Sequence, residues 1–171
     1  MAARAVFFDR DGTLIRDPGS PPSSGRLRLL PGSAEAVRRL RAGGYRTIVV
    51  TNQPGIAQGQ FTVAELDDFH AVLQQSLSRW GAKLDGIYVC PYLTGDQAVV
   101  EQYRVDSDWE KPRPGMLKQA ARDQGLDLSR SWMVGSSLED IAAGKAAGCR
   151  TVFVGDLQLA PQAEADFVAN D

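Results

Sequence analysis

A single histidine, His70, and two cysteines, Cys90 and Cys149, are all this chain carries of the residues that most readily ligate transition metals or form disulfides. The two cysteines stand far apart, and no charged-then-apolar leader or long apolar run precedes the first apolar segment. These absences argue against a disulfide scaffold and a membrane span, and lead us to expect a reduced, cytoplasmic protein. An excess of charge is lacking too. Nineteen Lys and Arg against 21 Asp and Glu leave a net charge of −2, which offers no electrostatic reason to expect nucleic acid or an anionic membrane as partner. Any anionic ligand must be met locally.

What is present is ordinary globular usage, 43% hydrophobic and 23% charged over 171 residues, enough for one domain spanning residues 1–171 with a proper core. The apolar run Ala5–Phe8 stops abruptly at Asp9 and Asp11, two carboxylates two residues apart, followed by Gly12-Thr13. That pattern reads as a buried strand delivering acids to the carboxyl edge of a parallel sheet, where such sheets bind ligands. Carboxylates so placed repel, and a divalent cation such as Mg²⁺ is the simplest remedy. One could then act as a nucleophile or ligand while the other exchanges a proton. The bland alternative is an acidic turn that only caps backbone groups.

Along the chain, Arg16–Gly25 is too rich in Pro, Gly and Ser for helix or strand, and serves either as a surface excursion or as a flap over the site. Ala34, Val37 and Leu40 recur at helical spacing before Gly43-Gly44. Tyr45–Thr51 is a second strand run, ending in Thr51-Asn52-Gln53; these polar groups either hold phosphate oxygens or satisfy a turn. Thr62-Val63-Ala64-Glu65 is a capping box, and Leu66, Phe69, Leu73, Leu77 and Trp80 continue it as one apolar stripe. His70 is expected on the surface of that helix, without a catalytic role. Gly86–Cys90, Trp132–Gly135 and Thr151–Val154 read as further strands, with helices over Met116–Gln124 and Ile141–Ala147 and an edge strand over Ala165–Ala169. The chain stops at Asp171 with no closing helix, which leaves room for a tail beyond it. Lys111 sits in the Pro-constrained segment Glu110-Lys111-Pro112-Arg113-Pro114, extended and suited to serve as a fixed cation. Strands alternating with helices predict a three-layer α/β fold around a parallel sheet, without a cap domain.

Four blocks stand in one order: Asp9-Arg10-Asp11-Gly12-Thr13, Thr51-Asn52, Lys111-Pro112, and Gly135 to Asp140. Together they resemble the haloacid dehalogenase (HAD) phosphatases, specifically the small capless branch similar to D-glycero-D-manno-heptose 1,7-bisphosphate 7-phosphatase and histidinol-phosphate phosphatase. The resemblance implies that Asp9 attacks phosphorus, that Asp11 protonates the leaving oxygen and activates water, and that Thr51, Asn52, Gln53, Lys111 and Arg113 hold the phosphate ester. It also implies Mg²⁺ at Asp9, Asp11, Ser136 and Asp140.

Three departures qualify that expectation. The family usually has Gly-Asp where this chain has Gly135-Ser136, so the metal is expected to bind more weakly. Of the four positions matching a family zinc loop, Cys90, Tyr92, Ser107 and Trp109, one is a thiol, so no zinc is expected; Tyr92 and Trp109 would fill the space. Heptose bisphosphatases tend to carry Arg in the block matching 55–59 and just before Lys-Pro, where this chain has Gln58 and Glu110. A monophosphate of a sugar, polyol or amino alcohol is therefore expected rather than a bisphosphate. The rival reading is a catalytically reduced phospho-ligand binding or regulatory protein on the same fold. A monomer is expected, on the ground that the sheet-packing helices leave no apolar stripe.

Overall fold

The computed structural model describes residues 2–20, 22–156, 158, 162 and 164–169. The strands β1 (Arg4–Phe8), β2 (Tyr45–Asn52), β3 (Gly86–Cys90), β4 (Trp132–Gly135), β5 (Arg150–Val154) and β6 (Phe167–Ala169) form one sheet in the order β3-β2-β1-β4-β5-β6. Every neighbouring pair is parallel. The apolar runs of β1 and β2 show no alternation because both faces are covered. Val6, Phe8 and Val49 meet Val37 of α1 (Ser33–Ala42) and Phe69, Leu73 and Leu77 of α2 (Val63–Ser78). Ala5, Phe7, Ile48 and Val50 meet Met116, Leu117 and Ala120 of α3 (Gly115–Gln124) and Ala143 and Ala147 of α4 (Leu138–Ala147).

The chain builds outward from β1 to β2 to β3, then returns to add β4 on the other side of β1. The strand order therefore reverses between β1 and β4, and a crevice opens beyond their carboxyl ends. Phe8 of β1 is level with Val49 of β2 and Val134 of β4, so Asp9, Thr51 and Ser136 follow at one edge.

Several sequence expectations need correction. Trp80 lies beyond the end of α2 and is 67% exposed, while His70 is 6% exposed. His70 is four residues after Leu66 and three before Leu73, and so belongs to the buried stripe. Helix α4 begins three residues earlier than expected because Ser137 and Asp140 form a capping box. The expected leftover-free surface is not found either: Val6, Leu40, Tyr45, Trp132, Val134, Val152 and Phe167 line an apolar groove of about 350 Å³ on one face, which removes the stated ground for a monomer.

Candidate active site

Asp9 follows β1 directly, and its backbone N–H still donates to Val134 O at 3.0 Å, as a further rung of the sheet. Its carboxylate Oδ1 accepts from Lys111 Nζ at 2.8 Å. The same ammonium donates to Asp140 Oδ1 at 2.5 Å and to Val50 O at 3.1 Å, which uses all three of its protons. Lys111 is 5% exposed. Burial alone would pull its pKa down, but the charges of Asp9 and Asp140 outweigh it and hold the pKa above the usual lysine value. Asp9 is raised to about 7, first by burial and further by Asp140 and Asp11, with Lys111 opposing. A cation beside Asp9 would reverse that rise.

Asn52 reaches this centre indirectly. Its Oδ1 accepts from Lys111 N at 3.1 Å and its Nδ2 donates to Lys111 O at 3.2 Å, so the amide clamps the backbone that carries the lysine. The Lys111–Pro112 bond is cis. Arg113 is not drawn in. Its guanidinium pairs with Asp106 at 2.6 Å and Glu110 at 3.5 Å, and its side chain is 41% exposed.

Asp11 lies in the turn that begins at Arg10, where Gly12 takes φ +79°. A side chain there would be strained, and a Cβ would stand 2.8 Å from Ser136 Oγ. Both Asp11 carboxylate oxygens accept from Arg10, and Oδ2 also accepts from Gln53 Nε2 at 3.1 Å. Gln53 Nε2 in turn donates to Thr51 Oγ1 at 3.0 Å. Ser136 Oγ donates to the backbone oxygen of Asp11 at 3.4 Å.

Asp140 is buried and fully engaged: Oδ1 faces Lys111, while Oδ2 accepts from Ser136 N and Ser137 N at 3.1 and 3.0 Å. It caps α4 and fixes Lys111, so three of the roughly four acceptor sites of its carboxylate are taken by these hydrogen bonds. Among the described residues no group of three His, Cys, Asp or Glu side chains is arranged to hold a metal. The oxygen set at the edge is instead one carboxylate (Asp9), the Asp11 carbonyl and the Ser136 hydroxyl. Mg²⁺ prefers hard oxygens, needs only one or two carboxylates and keeps several waters, so these residues fit it.

Beside Asp11 opens a cleft of about 210 Å³ lined by Asp17, Gly19, Ser20, Asn52, Gln53 and Gln58, among others. The Pro/Gly/Ser loop forms one wall, and its Ser20 hydroxyl donates to Gln60 across the cleft, which favours the flap over the idle excursion. Tyr92 and Trp109 do pack on the cluster containing Cys90, whose thiol is pushed up to about 11 by burial. Both cysteines are free and buried. No helix among the described residues is long and apolar enough to cross a membrane.

Comparison with known proteins agrees with this geometry. A HAD-hydrolase-like family model matches residues 108–171. D-glycero-beta-D-manno-heptose-1,7-bisphosphate 7-phosphatase of Pasteurella multocida is 42% identical over 84% of this chain and 77% of its own length. The Escherichia coli K12 enzyme of the same name is 39% identical over 97% and 88%. A D,D-heptose 1,7-bisphosphate phosphatase from B. bronchiseptica, solved with magnesium and phosphate, superposes with a TM-score of 0.82 at 30% identity over 97% of this chain and 92% of its own. The fold and the strand-end residues define a HAD-like phosphatase, and the chain belongs to that family in its heptose-bisphosphate-phosphatase-like branch.

Sequence reasoning missed the roles of Arg10, His70 and the Asn52 clamp. The helical register of His70 was a usable signal. The clamp, spanning 59 residues, left none.

Proposed function

We propose that the chain is a Mg²⁺-dependent phosphomonoester hydrolase acting on a small phosphorylated sugar, polyol or amino alcohol through an aspartyl-phosphate. The observation that supports this most is the buried Lys111 ammonium, fixed between Asp9 and Asp140 at the reversal point of the sheet with Asp11 two residues from the nucleophile. Phosphoryl transfer asks a protein chiefly for positioning and charge neutralisation.

An oxygen of Asp9 forms a bond to phosphorus as the bond to the leaving oxygen breaks, and protonated Asp11 gives its proton to that oxygen, releasing the alcohol. A water then gives a proton to Asp11 and its oxygen to phosphorus, the bond to Asp9 breaks, and inorganic phosphate leaves with both carboxyl groups restored. Lys111 neutralises charge beside Asp9 throughout. Asp9, the Asp11 carbonyl and Ser136 would hold Mg²⁺, which supplies charge neutralisation at the phosphoryl oxygens. That the B. bronchiseptica relative was solved with magnesium and phosphate supports this assignment.

Gln58 and the other neutral amides along the cleft, beside Asp17, favour a hydroxylated leaving group over one bearing a second phosphate. The names of the relatives point to a bisphosphate, so both belong in the test. Phosphate release from a panel of monophosphates and bisphosphates, with and without Mg²⁺ and with Asp9→Asn as blank, is expected to show metal-dependent hydrolysis that favours monophosphates. No release above the blank from a folded sample would sink the hydrolase reading; higher kcat/KM on a bisphosphate would sink the substrate reading alone. We further propose a cytoplasmic protein, single-domain over residues 1–171.

A further inference from the structure

Arg10 is the largest fully buried side chain described, at 1% exposure. A buried guanidinium is costly unless every side of it is answered, and here the answers are specific. Nε and Nη2 form a two-pronged fork on Asp11 Oδ1 and Oδ2, each at 2.8 Å. Nη1 lies 3.0 Å from His70 Nε2, and the guanidinium carbon stands 5.0 Å from the Phe69 ring centre. A guanidinium has only donors, so Nε2 of His70 must be the acceptor and the imidazole proton must sit on Nδ1. Phe69 and His70 come from consecutive positions of α2, roughly 60 residues downstream of Asp11.

We propose that His70 is a positioning residue which, through Arg10, sets the plane and direction of the Asp11 carboxyl group. Without the Nη1 acceptor the fork can rotate about its own side-chain torsions, and Asp11 rotates with it. With the acceptor in place, the fork holds one edge of the carboxyl, Gln53 restrains Oδ2, and the remaining 27% of the side chain that is exposed opens on the cleft. A general acid must meet the leaving oxygen within hydrogen-bond reach, so orientation here acts on the chemical step rather than on binding. The inference rests on the phosphatase reading for its catalytic consequence, and on the local geometry alone for the linkage itself.

The kinetic test exploits the leaving group. A phenolate departs without a proton, whereas an alkoxide needs one, and kcat/KM covers only the steps through departure. His70→Leu is expected to lower kcat/KM on an alkyl phosphate by roughly 10- to 100-fold, a partial loss of the roughly 100- to 10,000-fold that a positioned general acid contributes, while an aryl phosphate changes less than about 3-fold. His70→Gln, which keeps an acceptor near the Nε2 position, is expected to restore most of the loss. Equal losses on both substrates, or no rescue by Gln, would overturn the proposal. Because His70 is the chain's only histidine, its ¹⁵N ring signals need no assignment and provide a readout that requires no activity. The wild type is expected to show the Nδ1–H tautomer, and Asp11→Ala to shift the Nε2 signal through the freed Arg10 fork. An Nε2–H tautomer, or a signal indifferent to Asp11→Ala, would refute the linkage even if no substrate were turned over. A silent phosphate assay with the expected spectra would instead refute only the hydrolase.

Discussion

His70 is held neutral in a place where a charged imidazole would face Arg10. Burial first, and the Arg10 charge second, lower its pKa from 6.5 to about 3. Between those values the unfolded chain binds a proton that the folded chain refuses, so the stability His70 contributes is fully present above its unfolded pKa and is lost as pH falls. Asp9 works the other way. Its pKa is raised from 3.8 to about 7, so folding takes up a proton there, and acidification stabilises where His70 destabilises. The wild-type curve therefore mixes two opposed slopes, and comparison with His70→Gln isolates one of them. Between about pH 7 and pH 5 the wild type is expected to lose roughly 2 kcal/mol relative to His70→Gln, at about 1.4 kcal/mol per pH unit below the unfolded pKa. Denaturant titrations in chelator at both pH values check this; parallel stabilities of the two proteins would show that His70 titrates alike folded and unfolded.

At the scale of elements, α4 shows two local preferences opposing each other. Gly144 is an interior helix residue, where alanine is intrinsically better by about 1 kcal/mol. Yet a Cβ there would stand 2.6 Å from Met133 Cβ and 2.9 Å from Thr151 Cγ2, inside the contact between α4 and strands β4 and β5. Overpacking of that kind costs about 1–3 kcal/mol, so Gly144→Ala is expected to lower the melting temperature, whereas a rise would mean that the helix shifts without penalty. Elements differ in the same way in how openly the sequence declares them. Strands β1 and β2, buried on both faces, announce themselves as unbroken apolar runs, and the Thr62–Glu65 capping box marks the start of α2 to within a residue. The start of α4 was hidden because Ser137 and Asp140 carry the box while also resembling site residues. The strand ends were legible, since carboxylates closing a buried run are costly to desolvate and are seldom placed there for packing. What those side chains do to one another was not: Asn52 clamping Lys111, and Asp140 gripping it from a helix cap, depend on long-range register that no local pattern encodes.

Across the whole molecule, charge is nearly balanced at −2, so attraction of a divalent cation must come from the sheet edge itself. There the carboxyl groups of Asp9, Asp11 and Asp140 face the two cations Lys111 and Arg10. Asp140 is held by Lys111 and two backbone N–H groups, and Asp11 by Arg10, which leaves Asp9 as the carboxylate best able to add a metal ligand. Ser136, arriving from β4 on the far side of the strand-order reversal, completes the edge with a neutral hydroxyl. Ser136→Asp adds a second carboxylate where the Asp11 carbonyl already lies 3.4 Å from the side-chain oxygen. It is expected to tighten Mg²⁺ binding by roughly 10-fold and to raise the rate at saturating metal only modestly, since a hard cation gains most from charge and oxygen donors. Mg²⁺ titration by calorimetry and by phosphate release on the same samples separates the two effects. A modest gain in rate identifies Ser136 as a tolerated, weaker ligand in a working hydrolase. A rise from nothing to full turnover would instead show that the serine disables the native site, and would turn the protein into a phospho-ligand binder that has kept its catalytic carboxylates.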